Sequence, residues 1–154
     1  MAFYSNASAS STWKGYEYYK DNKVIEKNVI SENVFSGKVN SGKGNIYDVT
    51  IDIDHPKKST CTCKHAEGTR RICKHKIALF FSIFKEEAEE YYSDVMKARE
   101  EQEKQESEML EQIDAALNKM TKAELRSSLL HVLYSGPDYQ LNNFYYNYIS
   151  RIKR

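Results

Sequence analysis

All three cysteines of the chain lie within thirteen residues, and two of its four histidines lie beside them. Cys61 and Cys63 form one close pair, and Cys73 and His75 form a second, with nine residues between the pairs. Three thiolates and one imidazole make a Cys₃His set, which is a common ligand set for structural Zn²⁺. Three cysteines cannot all pair as disulfides. The cluster therefore indicates a metal site in a reducing, intracellular compartment.

The positions of the two pairs suit a closed tetrahedral site. In an extended Cys61-Thr62-Cys63 segment both sulfurs project to the same side, because side chains alternate along a strand. Cys73 and His75 come just before an apolar run, where a helix start would favour the thiolate form of Cys73. Four candidate ligands favour structural over catalytic zinc, because a catalytic site keeps one position open for water. Since no glycine-rich phosphate loop or nucleophile motif is present, we expect no enzymatic activity.

The order of these features resembles the SWIM zinc finger, in which strands, Cys-x-Cys, a spacer, Cys-x-His and an apolar helix follow one another. The resemblance covers residues 13–84, and it is closest in the strand Tyr47–Ile51 and in the run Cys73–Ala78. It implies one structural zinc ion, DNA binding or protein interaction, and no chemistry. The ligands that it implies are Cys61, Cys63, Cys73 and His75.

One departure from the family pattern leaves a second histidine open as a ligand. SWIM sequences often have proline after the second cysteine, whereas this chain has Lys64 there and His65 next. His65 is therefore an alternative to His75, although the Cys-x-His spacing favours His75.

Charge is unevenly distributed in this chain of net charge +1. Residues 57–76 carry seven lysines and arginines against Glu67 alone, whereas residues 85–111 carry eleven acidic residues against four basic ones. The basic segment predicts phosphate contacts, and the resemblance to the SWIM family implies DNA rather than RNA as the nucleic acid. The same charges would also offset an anionic three-thiolate zinc centre without any partner. The candidate contacts are Lys64, Arg70, Arg71, Lys74 and Lys76.

A protein-interaction module is the alternative function. The acidic helix or the tyrosine-rich C-terminal region would then be the docking face, and the zinc ion would hold the scaffold without any nucleic-acid contact.

Hydrophobic periodicity predicts an α+β fold. Val34–Val39 and Ile46–Ile53 alternate around a Gly/Asn-rich turn, which indicates an antiparallel hairpin. From Ile77 to about Arg99, apolar residues recur at helical spacing. We expect the zinc ion to pin this small sheet to the long helix. Residues 100–108 are almost wholly polar and fit either a solvated helix or a hinge.

The C-terminal region predicts two or three further helices. An apolar stripe restarts at Leu110, Thr121 and Glu124 form a capping box, and Gly136-Pro137 separates the last two helices. These stripes carry no polar cluster, so we expect packing or homo-oligomerisation through them.

The chain thus divides into four segments. Residues 1–12 are expected to be a disordered lead-in, 13–84 the SWIM-like domain, 85–109 an acidic helix or linker, and 110–154 a helical region. No run of about 18 apolar residues occurs, so no membrane span is expected.

Overall fold

The computed structural model of this chain describes residues 3–42 and 44–150 and shows an α+β fold. The chain divides into two compact units, Met1–Lys97 and Ala98–Arg154. Within the described residues, none of the helices combines the length and the apolar character that crossing a bilayer requires.

The first unit contains a four-stranded antiparallel sheet in which the strands are ordered as in the sequence. The predicted hairpin is confirmed as the pair β2–β3, in which Val39 faces Tyr47 and Phe35 faces Ile51. Val39, Val49 and Ile51 are buried because the apolar members of each alternating strand point to the same side. The strands are β1 (Val24–Ser31), β2 (Val34–Asn40), β3 (Ile46–Asp52) and β4 (Thr60–Cys61).

Helix α2 (Lys74–Ile83) lies at the centre of the first unit, between the sheet and helix α1 (Ala9–Lys20). Nearly every residue of α2 is buried, including Ile77, Leu79 and Phe81. A helix that is apolar on all sides must be covered on all sides. The sheet and α1 together provide that cover, and they fix the start of α2 beside β4.

The N-terminal residues differ from the expected disordered lead-in. Residues 1 and 2 lie outside the described part of the chain, but Phe3–Asn6 form a 3₁₀ turn that packs on the core. Phe3 stacks on Phe80 at 5.2 Å between ring centroids, and Tyr4 lies 5.4 Å from Phe81. The expectation of disorder is wrong for residues 3–12, because two aromatic side chains anchor a segment whose composition is otherwise polar.

Gly15 allows α1 and α2 to approach closely. A Cβ at this position would lie 2.5 Å from Cβ of Ile77 and 2.9 Å from the carbonyl oxygen of Lys74. Alanine would gain about 1 kcal/mol of helix propensity over glycine, but overpacking of a core costs about 1–3 kcal/mol.

We therefore expect Gly15→Ala to lower the free energy of unfolding by up to about 2 kcal/mol. Urea unfolding of the zinc-loaded protein measures this. Lys20→Ala, at an exposed position in the last turn of the same helix, is the matched control and should change little. A more stable Gly15→Ala variant would show that the two helices can separate without cost.

A break at Phe84 separates α2 from the next helix, α3 (Lys85–Leu117). The sequence predicted one helix from Ile77 to about Arg99, but Phe84 leaves the helical region with φ −104° and ψ 75°. Helix α3 then runs without interruption through residues 100–108, so this polar stretch is helix and not a hinge.

The second unit continues from α3 with α4 (Lys122–Ser135), α5 (Asp138–Phe144) and a π-helical turn (Tyr145–Ile149). Helix α4 begins with the expected capping box. Thr121 Oγ1 accepts from the Glu124 amide, and the Glu124 carboxylate accepts from the Thr121 amide at 2.7 Å. The Thr121 amide, and with it the Thr121 hydroxyl, donates to the Glu124 carboxylate, and these two hydrogen bonds hold the Glu124 pKa below its ordinary value.

Candidate metal centre

Cys61 and Cys63 are placed by the last strand of the sheet. Cys61 pairs with Val49 of β3, and Cys63 follows just after β4 ends. Thr62 points away from both, since its hydroxyl accepts from the Asp48 amide and its own amide donates to the Asp48 carbonyl. The two sulfurs are therefore buried on the same side, as the alternation of an extended segment requires.

Cys73 and His75 are placed by the start of α2. Cys73 is the N-cap residue of this helix, and His75 lies in its first turn. The unpaired amides and the dipole at a helix N-terminus favour a negative charge. The position of Cys73 therefore lowers the cost of holding its sulfur as a thiolate.

The four side chains meet in one buried cluster. Their ligand atoms all lie within 4.8 Å of one another. Nδ1 of His75 lies 3.7 Å from the sulfur of Cys61 and 4.0 Å from the sulfur of Cys73. A tetrahedral zinc ion with ordinary Zn–S and Zn–N bonds separates sulfur and nitrogen ligands by about 3.6 Å. The donor set and its spacing thus fit Zn²⁺.

His65, the alternative ligand, does not belong to this cluster. It is exposed, whereas His75 is buried against the sulfurs. The short loop after Cys63, in which Ala66 and Glu67 donate their amides to the Cys63 carbonyl, leaves His65 on the surface.

Residues 47–84 match the SWIM zinc finger family. No curated protein and no solved structure matches the chain. The matched segment runs from β3 through the ligand cluster to the end of α2, so it contains the last strand of the sheet and the helix start that carry the four ligands. Together, the match and the cluster support one structural zinc ion in this chain.

The three thiols of the cluster change one another's pKa. Cys61 donates to the sulfur of Cys73, and this hydrogen bond raises the pKa of Cys61 far above its ordinary value. The same hydrogen bond lowers the pKa of Cys73 to about 3, with His75 contributing further. Burial raises the pKa of Cys63. Zinc must therefore displace protons from Cys61 and Cys63, so acid favours release of the metal.

The imidazole of His75 is held between two tyrosine rings. The centroids of Tyr47 and Tyr18 lie 4.6 Å and 5.5 Å from it. Nε2 is buried and has no hydrogen-bond partner among the described residues. With Nδ1 facing the sulfurs, the tyrosines fix the orientation of the ring by packing. The contact between Tyr18 and His75 could not be predicted from the sequence, because Tyr18 is far from the cluster along the chain.

Lys76 has a structural role that the sequence did not reveal. Its ammonium donates to the carbonyl oxygens of Ser59 at 2.7 Å and Arg71 at 2.8 Å. Ser59 precedes β4 and Arg71 precedes Cys73, so one cation ties together both ends of the loop that carries the ligands. Its side chain is 0% exposed. The predicted nucleic-acid contact at Lys76 is therefore wrong, because a buried ammonium cannot reach a phosphate.

Burial lowers the pKa of Lys76, and the neighbouring sulfurs of Cys73, Cys61 and Cys63 act in the opposite direction. The cation thus lies next to the anionic charge of the zinc centre.

The other predicted contacts separate into two surfaces. Lys64, Arg71 and Lys74 line a groove of about 800 Å³ that also includes Lys14 of α1. Among the described residues, no aspartate or glutamate lines this groove. Arg70 lines a separate hollow of about 400 Å³, where Asp48 and Glu67 accompany it.

Helix α1 supplies side chains to the basic groove, and the sequence did not indicate this. Ser8, Ser10 and Ser11 at its N-terminal end and Lys14 one turn later all line the groove. Tyr18 forms part of the wall, and the ammonium of Lys74 lies 4.4 Å from the centroid of its ring. The polar composition that suggested disorder here belongs to a surface beside the zinc site.

Proposed function

We propose that this chain is a zinc-stabilised binding module that takes nucleic acid, with DNA favoured over RNA, in the basic groove beside the SWIM zinc finger. The observation that carries the proposal is the composition of that groove. Lys14, Lys64, Arg71 and Lys74 provide four positive charges, and the serine hydroxyls add hydrogen-bond donors. Lysine, arginine and serine are the side chains that most often contact phosphate oxygens.

The absence of an opposing charge supports phosphate as the ligand. A groove lined by charges of one sign concentrates ions of the other sign. The hollow around Arg70 lacks this property, since Asp48 and Glu67 lie among its lysines. Arg70 therefore has a smaller part in the proposed contact than the sequence suggested.

We further propose that the module has no catalytic activity. Three sulfurs and one imidazole complete the tetrahedron of a zinc ion, which leaves no position for a reactive water. Because the cluster needs all three thiols reduced, the protein is expected to act in a reducing intracellular compartment.

Replacing Arg71 with alanine is expected to weaken DNA binding and to flatten its dependence on salt. Each phosphate contact in B-DNA contributes about 0.9 to the slope of log K against log salt concentration. The Arg71→Ala slope should therefore fall by about 0.9. Mobility shifts of one duplex, and of an RNA of the same sequence, over a series of salt concentrations measure this.

Arg70→Ala is the matched control, since it removes the same charge from an adjacent exposed residue. It should retain nearly the whole slope, and both variants should retain one zinc ion per chain. If Arg70→Ala and Arg71→Ala reduced the salt slope equally, the phosphate contact would lie outside the groove. No binding by the zinc-loaded wild type would favour the alternative, a protein-interaction module.

A further inference from the structure

The second unit leaves most of its apolar side chains uncovered. Among the described residues of Ala98–Arg154, Leu133 is the one buried apolar side chain. Leu110 of α3 is 56% exposed and Leu129 of α4 is 44% exposed. A unit of this size rarely stays folded without a core of its own.

The uncovered residues form a stripe on each of two helices. Leu110, Ile113 and Leu117 follow helical spacing on α3, and Leu125, Leu129 and Val132 do so on α4. All six are exposed, so neither stripe covers the other within one chain. Such stripes mark an interaction surface.

The exposed apolar area is large enough for a stable dimer. In the described part of this unit, residues 98–150, fourteen large apolar or aromatic side chains are exposed by at least 37%. Since one large aromatic side chain can bury about 150–250 Å², the set offers on the order of 1,000 Å². A standard protein interface removes about 800 Å² from each partner.

The charges of α3 and of the residues that follow it indicate which surface covers these apolar stripes. Residues 98–117 of α3 carry seven acidic residues against two basic ones, a net charge of −5. Residues 118–135, which include α4, carry three basic residues against one acidic one, a net charge of +2. The two segments are thus complementary to each other, both in apolar character and in charge.

We propose that the chain forms a symmetric homodimer in which the α3 stripe of each protomer packs on the α4 stripe of its partner. In a dimer with two-fold symmetry this contact forms twice, because both protomers use the same surface and each α3 stripe meets the α4 stripe of the other protomer. Opposite charges along the two stripes select this pairing over α3 against α3, which would bring two acidic segments together. The proposal is independent of nucleic-acid binding.

Sedimentation of the full-length, zinc-loaded chain tests the proposal. From low micromolar to millimolar concentration, the mass should approach twice the 17.9 kDa of one chain. A mass of 17.9 kDa over that whole range would overturn the proposal.

Charge reversal then tests the pairing itself. Glu106→Lys with Glu111→Lys makes α3 more basic, and Lys122→Glu with Arg126→Glu makes α4 more acidic. Each double variant alone should raise the dimer dissociation constant at least about tenfold. The helix dipole favours acidic residues at the start of α4 and basic residues towards the end of α3. Both double variants should therefore keep the helical circular dichroism spectrum of the wild type.

An equimolar mixture of the two variants should recover the dimer, because each reversed stripe then meets its opposite in the other chain. Glu89→Lys with Glu90→Lys, which lies in α3 outside the second unit, is the matched control and should dimerise like the wild type. A mixture that stays monomeric, or a control that dissociates as readily as the two variants, would overturn the pairing.

Discussion

His75→Ala is expected to abolish zinc binding and to unfold the first unit of the protein. Zinc contributes about 10–16 kcal/mol of apparent binding free energy in small zinc fingers, which equals or exceeds the net stability of about 5–15 kcal/mol of a typical domain. Cys61 belongs to the sheet, whereas Cys73 and His75 belong to α2. Loss of the ion therefore removes the metal bonds that tie the edge of the sheet to the start of α2.

His65→Ala is the matched control, because it removes a histidine from the exposed part of the same loop. It should bind one zinc ion and melt like the wild type, whereas His75→Ala should contain no zinc and show no cooperative transition. Metal analysis and thermal unfolding measure the two properties on the same samples. Loss of zinc in His65→Ala with retention in His75→Ala would reverse the ligand assignment.

Lys76→Met is expected to lower the free energy of unfolding by about 2–4 kcal/mol. Methionine matches the length of the lysine stem but cannot donate, so the buried carbonyl oxygen of Ser59 and the part-buried carbonyl oxygen of Arg71 would both lose their donor. A hydrogen bond between a charged group and a buried acceptor is worth about 1.5–3 kcal/mol, and the part-buried hydrogen bond to Arg71 adds less than the buried one to Ser59. Denaturant unfolding of zinc-loaded protein measures the loss.

Lys64→Met removes the same charge from an exposed residue and should change stability by less than about 0.5 kcal/mol. The two variants also differ in DNA binding. Lys64→Met should weaken it, because Lys64 lines the groove. A Lys76→Met protein as stable as the wild type would show that water replaces the ammonium without cost.

The zinc site could be predicted from the sequence because its determinants are local. The spacing of two ligand pairs, the alternation of Val49 and Ile51, and the apolar run after Cys73 each depend on a few neighbouring residues. A hairpin and a helix start follow directly from such patterns. The ligand cluster then requires only that these two elements meet.

The N-terminal helix could not be predicted in this way. Residues 1–12 are rich in serine, alanine and asparagine, which are also common in disordered segments. The order of this segment depends on Phe3 and Tyr4 reaching Phe80 and Phe81, far along the chain. A contact of this kind leaves no periodic pattern in either segment.

The role of Lys76 was hidden for a related reason. Lysine is almost never fully buried unless its charge has partners, and these partners are carbonyl groups that carry no sequence signal. Because Lys76 lies in a basic segment, its sequence context predicted an exposed phosphate contact, as it did for the neighbouring basic residues. The break at Phe84 was missed because the apolar stripe continues at helical spacing across it.

X-ray absorption spectroscopy at the zinc edge of gently purified wild-type protein measures the number and type of the zinc ligands. We expect one zinc ion per chain, with three sulfur ligands at about 2.3 Å and one nitrogen ligand at about 2.0 Å. Protein that contains no zinc, or a zinc ion whose ligands are mainly oxygen, would contradict this expectation.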